Sequence, residues 1–263
     1  MQEQAPEIVI EESQSYVRLI LNRPHVRNAI TTRMWQELPR LIRRLQRRRT
    51  IRALLVSGAG GKAFASGADL SELPRLADAK AARAYERVVV RALDSLVRCP
   101  LPAIAMIRGY ALGSGCHLAA ACDLRVAGES AQLGIPAARL GAGVNPGVVA
   151  RLVSLVGPAA AKEMLFSGQP IDARRALQVG LVNYVVPDAE LEGFTLSLTR
   201  QISNNAPLTI QNTKRAVNWI AIEGHRRPPQ ELQEHFAKGF SGPDFQEGLA
   251  ASLARRQPHF VGR

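Results

Sequence analysis

Short unbroken apolar runs alternate with apolar stripes at helical spacing through most of the chain. Ile8-Val9-Ile10 and Tyr16-Val17-Arg18-Leu19-Ile20-Leu21, separated by a polar stretch, predict an opening hairpin. Asn22-Arg23-Pro24 ends its second strand, and Thr31 or Thr32 stands where a helix N-cap belongs. Leu38, Leu41, Ile42 and Leu45 then recur at helical spacing. Residues 51–57 read as a buried strand closed by Gly58-Ala59-Gly60-Gly61, and a helical stripe from Ala79 to Arg98 stops before Pro100 and Pro102. Ala103-Ile104-Ala105-Met106-Ile107 has the pattern of a strand buried on both faces, and residues 124–127 and 131–134 read as short strands. This alternation predicts an α/β fold of right-handed βαβ units around a mostly parallel sheet. From Pro158 onward helices predominate, at 159–166, 173–179, 188–202, 208–223 and 229–240, and no internal repeat is evident.

The run ending at Ile107 leads into Gly109, Gly113 and Gly115, with nothing bulkier than Ser114 between the last two, and then into the helix-favouring His117-Leu118-Ala119-Ala120-Ala121-Cys122. Gly-Ser-Gly therefore opens a helix. The first amides of a helix lack partners inside it and the macrodipole makes that end partly positive, so a carbonyl oxygen gaining negative charge would be stabilised there. The G-x-G-x-x-G spacing of a dinucleotide site is absent, and strand, glycine turn and helix alone is a weak signal, since many α/β proteins place a phosphate or nothing at all at such a turn.

Composition narrows the classes. A chain of 263 residues, 46% hydrophobic, can bury a substantial core. Cys99, Cys116 and Cys122 lie in apolar surroundings with no ligand spacing, which predicts reduced structural thiols and no metal site. Glu3, Glu7, Glu11 and Glu12 precede any long apolar run and no 18-residue apolar stretch occurs, so the expectation is a cytoplasmic protein without a secretory signal or membrane span. The net charge of +12 favours a polyanionic partner. Much of it is local: Arg40, Arg43, Arg44, Arg47, Arg48, Arg49 and Arg52 interleave with the leucine stripe. A core-facing stripe with a solvated arginine face is expected; binding of nucleic acid is the sharper alternative, without the aromatic residues that stack bases.

Arg108-Gly-Tyr-Ala-Leu-Gly-Ser-Gly-Cys116 with Ala121-Cys122-Asp123 closely resembles the signature of the crotonase, or enoyl-CoA hydratase/isomerase, superfamily. Lys62-Ala63-Phe64-Ala65-Ser66-Gly67-Ala68-Asp69-Leu70 resembles its second signature, and Asn22-Arg23-Pro24 with Arg27-Asn28-Ala29-Ile30 its first CoA-contacting loop. Residues 168–176 with Gly180-Leu181-Val182 are similar to the segment where its core passes to helices. The resemblance spans nearly the whole chain. It implies a spiral of ββα units over residues 1–200, a helical trimerisation region over 201–263, and a homotrimer, often paired into a hexamer. It also implies an acyl-CoA substrate whose thioester carbonyl is held by the amides of Ala68 and Ser114, with coenzyme A part of the substrate and no further cofactor. Substrate contacts carried over are His25, Arg27, Ala29, Ala65, Gly67, Asp69, Leu70, Tyr110 and Gly113. Asp69 reads as a helix N-cap, Tyr110 as a pocket wall, Arg139 as a pocket charge or a salt-bridge partner, and Cys116 as packing.

The sequence departs from the family at its acid–base positions. The glutamates that hydratases use to position water and move protons are His117 and Ala137 here, and the aspartate of dienoyl isomerases is Asn145. Paired-carboxylate hydration is absent as normally built. His117 is the titratable side chain at a matched position, and an ordinary imidazole would suit proton transfer near neutral pH; alternatively it fills the glutamate's space. Two classes of function follow: an acyl-CoA lyase or isomerase with atypical acid–base residues, Asn145 included, and a crotonase-fold protein that binds CoA thioesters or polyanions without turnover.

Overall fold

A computed structural model of the chain describes residues 5–76, 78–223, 229, 230, 234 and 242–262. β1 (Ile8–Glu12) and β2 (Tyr16–Leu21) form the expected antiparallel hairpin, with Ile8 opposite Leu21. α1 (Thr32–Leu45) follows, capped by Thr31, whose hydroxyl accepts from the Met34 amide at 3.1 Å. Its Leu38, Leu41, Ile42 and Leu45 are buried while Arg40, Arg43 and Arg44 are exposed, as the stripe predicts.

The middle of the chain repeats one unit. β3 (Ala53–Gly58), β4 (Ala63–Ala65) and α2 (Ala79–Val97) make the first; β5 (Ala103–Ile107), β6 (Tyr110–Leu112) and α3 (Ser114–Ala121) the next. β7 (Leu124–Gly128) and β8 (Gln132–Gly134) lead to α4 (Ala137–Leu140) and α5 (Pro146–Ser167). The first strand of each pair enters a six-stranded sheet ordered β1-β2-β3-β5-β7-β10, and the second enters a four-stranded sheet ordered β4-β6-β8-β9. β9 (Ile171–Asp172) and β10 (Tyr184–Val186) complete the sheets around α6 (Ala173–Gln178). Apart from β1–β2 and β8–β9, the pairings are parallel.

The main core fills the space among the sheets, α1, α2, α3 and α5, and includes Trp35, Phe64, Leu93, Ile107 and Leu118. A second cluster packs the outer face of the large sheet, through Leu55, Ile104 and Val126, under α7 (Leu191–Ser203). α8 (Pro207–Glu223) is tied on by Lys214, whose Nζ donates to Asp123 Oδ2 at 2.7 Å and to the Leu101 carbonyl at 3.0 Å. Asp123 Oδ2 also accepts from the Ala103 amide at 2.7 Å, so one carboxylate joins α8 to the start of β5. α9 (Pro243–Leu253) ends the described helices.

Several boundaries differ from the pattern. The helix expected at 159–166 begins at Pro146 and bends at Gly157 (φ 73°, ψ 167°), because Gly157-Pro158 interrupts the ladder without ending the packed element. The strands of the small sheet at β4, β6 and β9 are too short to show a period. The helix expected at 229–240 lies outside the described residues. Among the described residues no helix is long and apolar enough to cross a membrane.

Candidate functional site

β4 and β6 are parallel neighbours, with Ala63 opposite Tyr110 and Ala65 opposite Ala111, so the chain leaves both strands at the same end. The segment after β4 is held by the loop before α1. The Ile30 amide donates to the Gly67 carbonyl at 2.8 Å, the Asp69 amide to the Ile30 carbonyl at 3.0 Å, and the Ser66 amide to the Arg27 carbonyl at 3.0 Å. In this parallel bridge between Ile30 and Ala68 the N–H of Ala68 faces away from Ile30, and no acceptor takes it among the described residues. Asn28 supports the loop from behind: fully buried, it donates through Nδ2 to the carbonyls of Ala59 (3.0 Å) and Ala63 (2.8 Å).

After β6 the chain turns through Gly113, at φ +50° and ψ −117°, into α3. Ser114 is the first helical residue, so its N–H has no partner within the helix, and none takes it among the described residues. Gly115 is needed for the approach itself: a Cβ there would lie 2.3 Å from the Ala65 carbonyl oxygen. The missing side chain lets α3 close against β4 and brings the amides of Ala68 and Ser114 to the wall of one cavity of about 1000 Å³.

Arg27, Ala29, Gly67, Ala68, Asp69, Leu70, Gly113, Ser114, His117 and Asn145, all anticipated from the sequence, line this cavity. His25, Ala65 and Tyr110 do not. His25 is exposed on a short 3₁₀ turn, Ala65 is buried in β4 beneath Gly115, and Tyr110 stands under the Arg27 guanidinium, 5.4 Å from its ring centre. Arg139 also lies outside, its stem against Gly168. Ala137 presents a methyl group to the cavity.

Asp69 is fixed as an anion. Its Oδ1 accepts from the Ser71 hydroxyl (2.7 Å) and amide (3.0 Å), Oδ2 accepts from Arg23 Nη1 (2.7 Å), and these bonds, Ser71's first, hold its pKa below the usual carboxylate range. It caps the turn after Ala68 rather than a regular helix. Cys116 is buried and its thiol is pushed up to about 12 by desolvation, which suits packing and not attack.

His117 departs from its expected behaviour. Burial in α3, reinforced by the Arg151 charge, lowers its pKa to about 4, and the buried Nε2 has no hydrogen-bond partner among the described residues. The ring is therefore neutral near pH 7, and no imidazole titration falls there.

Three contributors went unnoticed in the sequence, and all lie on one face of α2: Arg83, Tyr85 and Glu86 line the cavity with Ala82, Val89 and Val90. The Tyr85 phenol meets the Ser114 side chain, and burial raises its pKa, so it stays a neutral hydroxyl. Glu86 accepts from Asn145 Nδ2, while Asn145 Oδ1 caps α5 by accepting from the Gly147 amide at 2.7 Å. The signal was the spacing 82, 85, 86, 89, 90, 93, which sets a glutamate in an apolar stripe.

The family model for enoyl-CoA hydratase/isomerase matches residues 11–263. A short-chain-enoyl-CoA hydratase of Clostridium acetobutylicum is 31% identical, with 95% of each chain aligned. A 2,3-dehydroadipyl-CoA hydratase of Escherichia coli is 33% identical over 98% of this chain and 99% of its own. The crystal structure of an enoyl-CoA hydratase/carnithine racemase from Magnetospirillum magneticum superposes with a TM-score of 0.94 at 32% identity, covering 99% of this chain and 97% of its own. With its strand pairs feeding two sheets and both signatures meeting at one cavity, the chain belongs to the enoyl-CoA hydratase/isomerase family, the crotonase superfamily.

Proposed function

We propose that the protein is an acyl-CoA-processing enzyme in which the amides of Ala68 and Ser114 receive the thioester carbonyl oxygen and stabilise the enolate formed from it. The observation carrying this reading is the pair of amides that no acceptor takes among the described residues, delivered from adjacent parallel strands to one cavity. Two donors aimed where negative charge develops favour the enolate over the ground-state carbonyl. Apolar residues such as Leu73, Val89 and Val148 offer the acyl chain a dry wall, and Arg27 and Arg83 give the cavity positive charge for coenzyme A phosphates. The coenzyme arrives as part of the substrate, and the reading needs no other cofactor.

The reaction class is lyase or isomerase chemistry at the carbons next to the thioester, with hydration disfavoured. Ala137 carries no proton-transfer group and His117 is neutral, so the two positions where hydratases carry glutamates supply no carboxylate to activate water. The same two residues support the second reading, a CoA-thioester binder without turnover. The C-terminal helices, within residues 201–263, carry exposed Val217, Ile220, Leu249 and Leu253, which supports assembly into a trimer or hexamer. The setting is cytoplasmic.

Calorimetry with acetyl-CoA and octanoyl-CoA at moderate salt, alongside crotonyl-CoA hydration, tests the proposal. Both thioesters are expected to bind, hydration to run far below that of a two-glutamate hydratase, and Ser114→Pro to lower any turnover ~10²–10³-fold. Absence of heat and of competition by free coenzyme A would reject it, and brisk hydration would reject the assignment of the acid–base residues.

A further inference from the structure

We propose that Glu86, on α2, is the proton-transfer residue of this site, removing a proton from the carbon adjacent to the thioester carbonyl. The proposal rests on the oxyanion reading above and adds a catalytic group outside both signature segments.

Glu86 lies on the inward face of α2, followed one turn later by Val89 and Val90, a position where a structural helix would carry an aliphatic side chain. Among the described residues its carboxylate has no ion-pair partner; its hydrogen bond comes from the neutral amide of Asn145. The Asn145 amide has a fixed sense, because its oxygen is occupied by the first amides of α5, leaving Nδ2 to face Glu86. The preceding residue, Tyr85, reaches the Ser114 side chain, which brings this turn of α2 to the oxyanion wall.

The alternatives are less suited. Asp69 is held by Arg23 and two Ser71 donors. A proton accepted by His117 would create a cation in a buried helix near Arg151, whereas Glu86 faces the cavity with the neutral amide of Asn145 as its hydrogen-bond donor. In the proposed step the Cα–H bond breaks and its proton passes to a Glu86 carboxylate oxygen. The electron pair forms the Cα=C bond of the enolate, and the negative charge moves to the carbonyl oxygen between the Ala68 and Ser114 amides. Return of the proton to Cα gives exchange; its delivery to the γ-carbon of a β,γ-unsaturated thioester gives the α,β-isomer. Both outcomes are redox-neutral, and neither needs a second carboxylate.

The test is deuterium uptake at Cα of butyryl-CoA in D₂O, followed by mass spectrometry, with calorimetric affinity for the same thioester measured in parallel. Glu86→Gln keeps an oxygen for Asn145 Nδ2 and is expected to bind as wild type while exchange falls by at least ~10²-fold; Glu86→Asp is expected to retain part of the rate. Unchanged exchange in Glu86→Gln with affinity intact overturns the proposal and leaves the oxyanion reading standing, and loss of exchange in His117→Ala alone does the same. Wild-type binding without any exchange also overturns it. Failure of wild type to bind butyryl-CoA removes both readings together.

Discussion

The imidazole of His117 sits in a helix of alanine, leucine and cysteine, and its proton affinity follows from that company. Unfolded, it gains a proton near its ordinary pKa of 6.5; folded, only near about 4. The unfolded state therefore binds more protons between these values, so stability declines as pH falls from about 6.5 to about 4 and is insensitive to this group below that. The loss is at most roughly 3 kcal/mol. His117→Leu should flatten the fall in urea midpoint over that window, and parallel curves for variant and wild type would contradict the assignment. Gly115 was readable because the glycine pattern announces a close backbone approach, and Ala68 and Ser114 were found at the cavity wall through the resemblance of the two signatures that carry them. Glu86 was not, because a single carboxylate in the stripe of α2 gives no sign of the cavity that the stripe faces until α2 is docked.

The contact between α3 and β4 carries the site, and it depends on Gly115. Gly115→Ala sets a methyl against the Ala65 carbonyl, a backbone atom that cannot swing away. A stability loss of about 1–3 kcal/mol is expected. Turnover should fall by more than ~10-fold, with thioester affinity less affected. Wild-type turnover in a folded Gly115→Ala variant would show that the two amides need not approach so closely. A second prediction concerns α8: Asp123→Asn removes the counter-charge of Lys214, whose side chain is only 7% exposed, and leaves it carbonyl acceptors alone, which should cost about 3 kcal/mol in denaturant unfolding. Elements with a clear period, such as α1 and α2, or an unbroken apolar run bounded by turn residues, such as β5, were legible in the sequence. β4 and β6 were not, since three residues carry no period and their pairing is set by the larger sheet beside them. The first half of α5 was hidden by Gly157-Pro158, read as punctuation although the helix packs continuously across it.

At the scale of the molecule, much of the basic excess of +12 lies away from the cavity. Arg43, Arg44, Arg47 and Arg48 lie on α1 or just beyond it and do not line the cavity. Replacing all four with glutamine should leave CoA-thioester affinity within ~0.5 kcal/mol and the oligomeric state unchanged by light scattering. Salt-sensitive RNA retardation lost in that variant would instead identify the arginine face as a binding surface. The central claim is that the amides of Ala68 and Ser114 polarise a thioester carbonyl. Its most direct test is the isotope-edited infrared difference spectrum of butyryl-CoA labelled with ¹³C at that carbonyl and bound to the protein. The account predicts a carbonyl band displaced to lower frequency in wild type and moved back toward its solution position in Ser114→Pro; a bound thioester whose carbonyl absorbs at its solution frequency in wild type would contradict it.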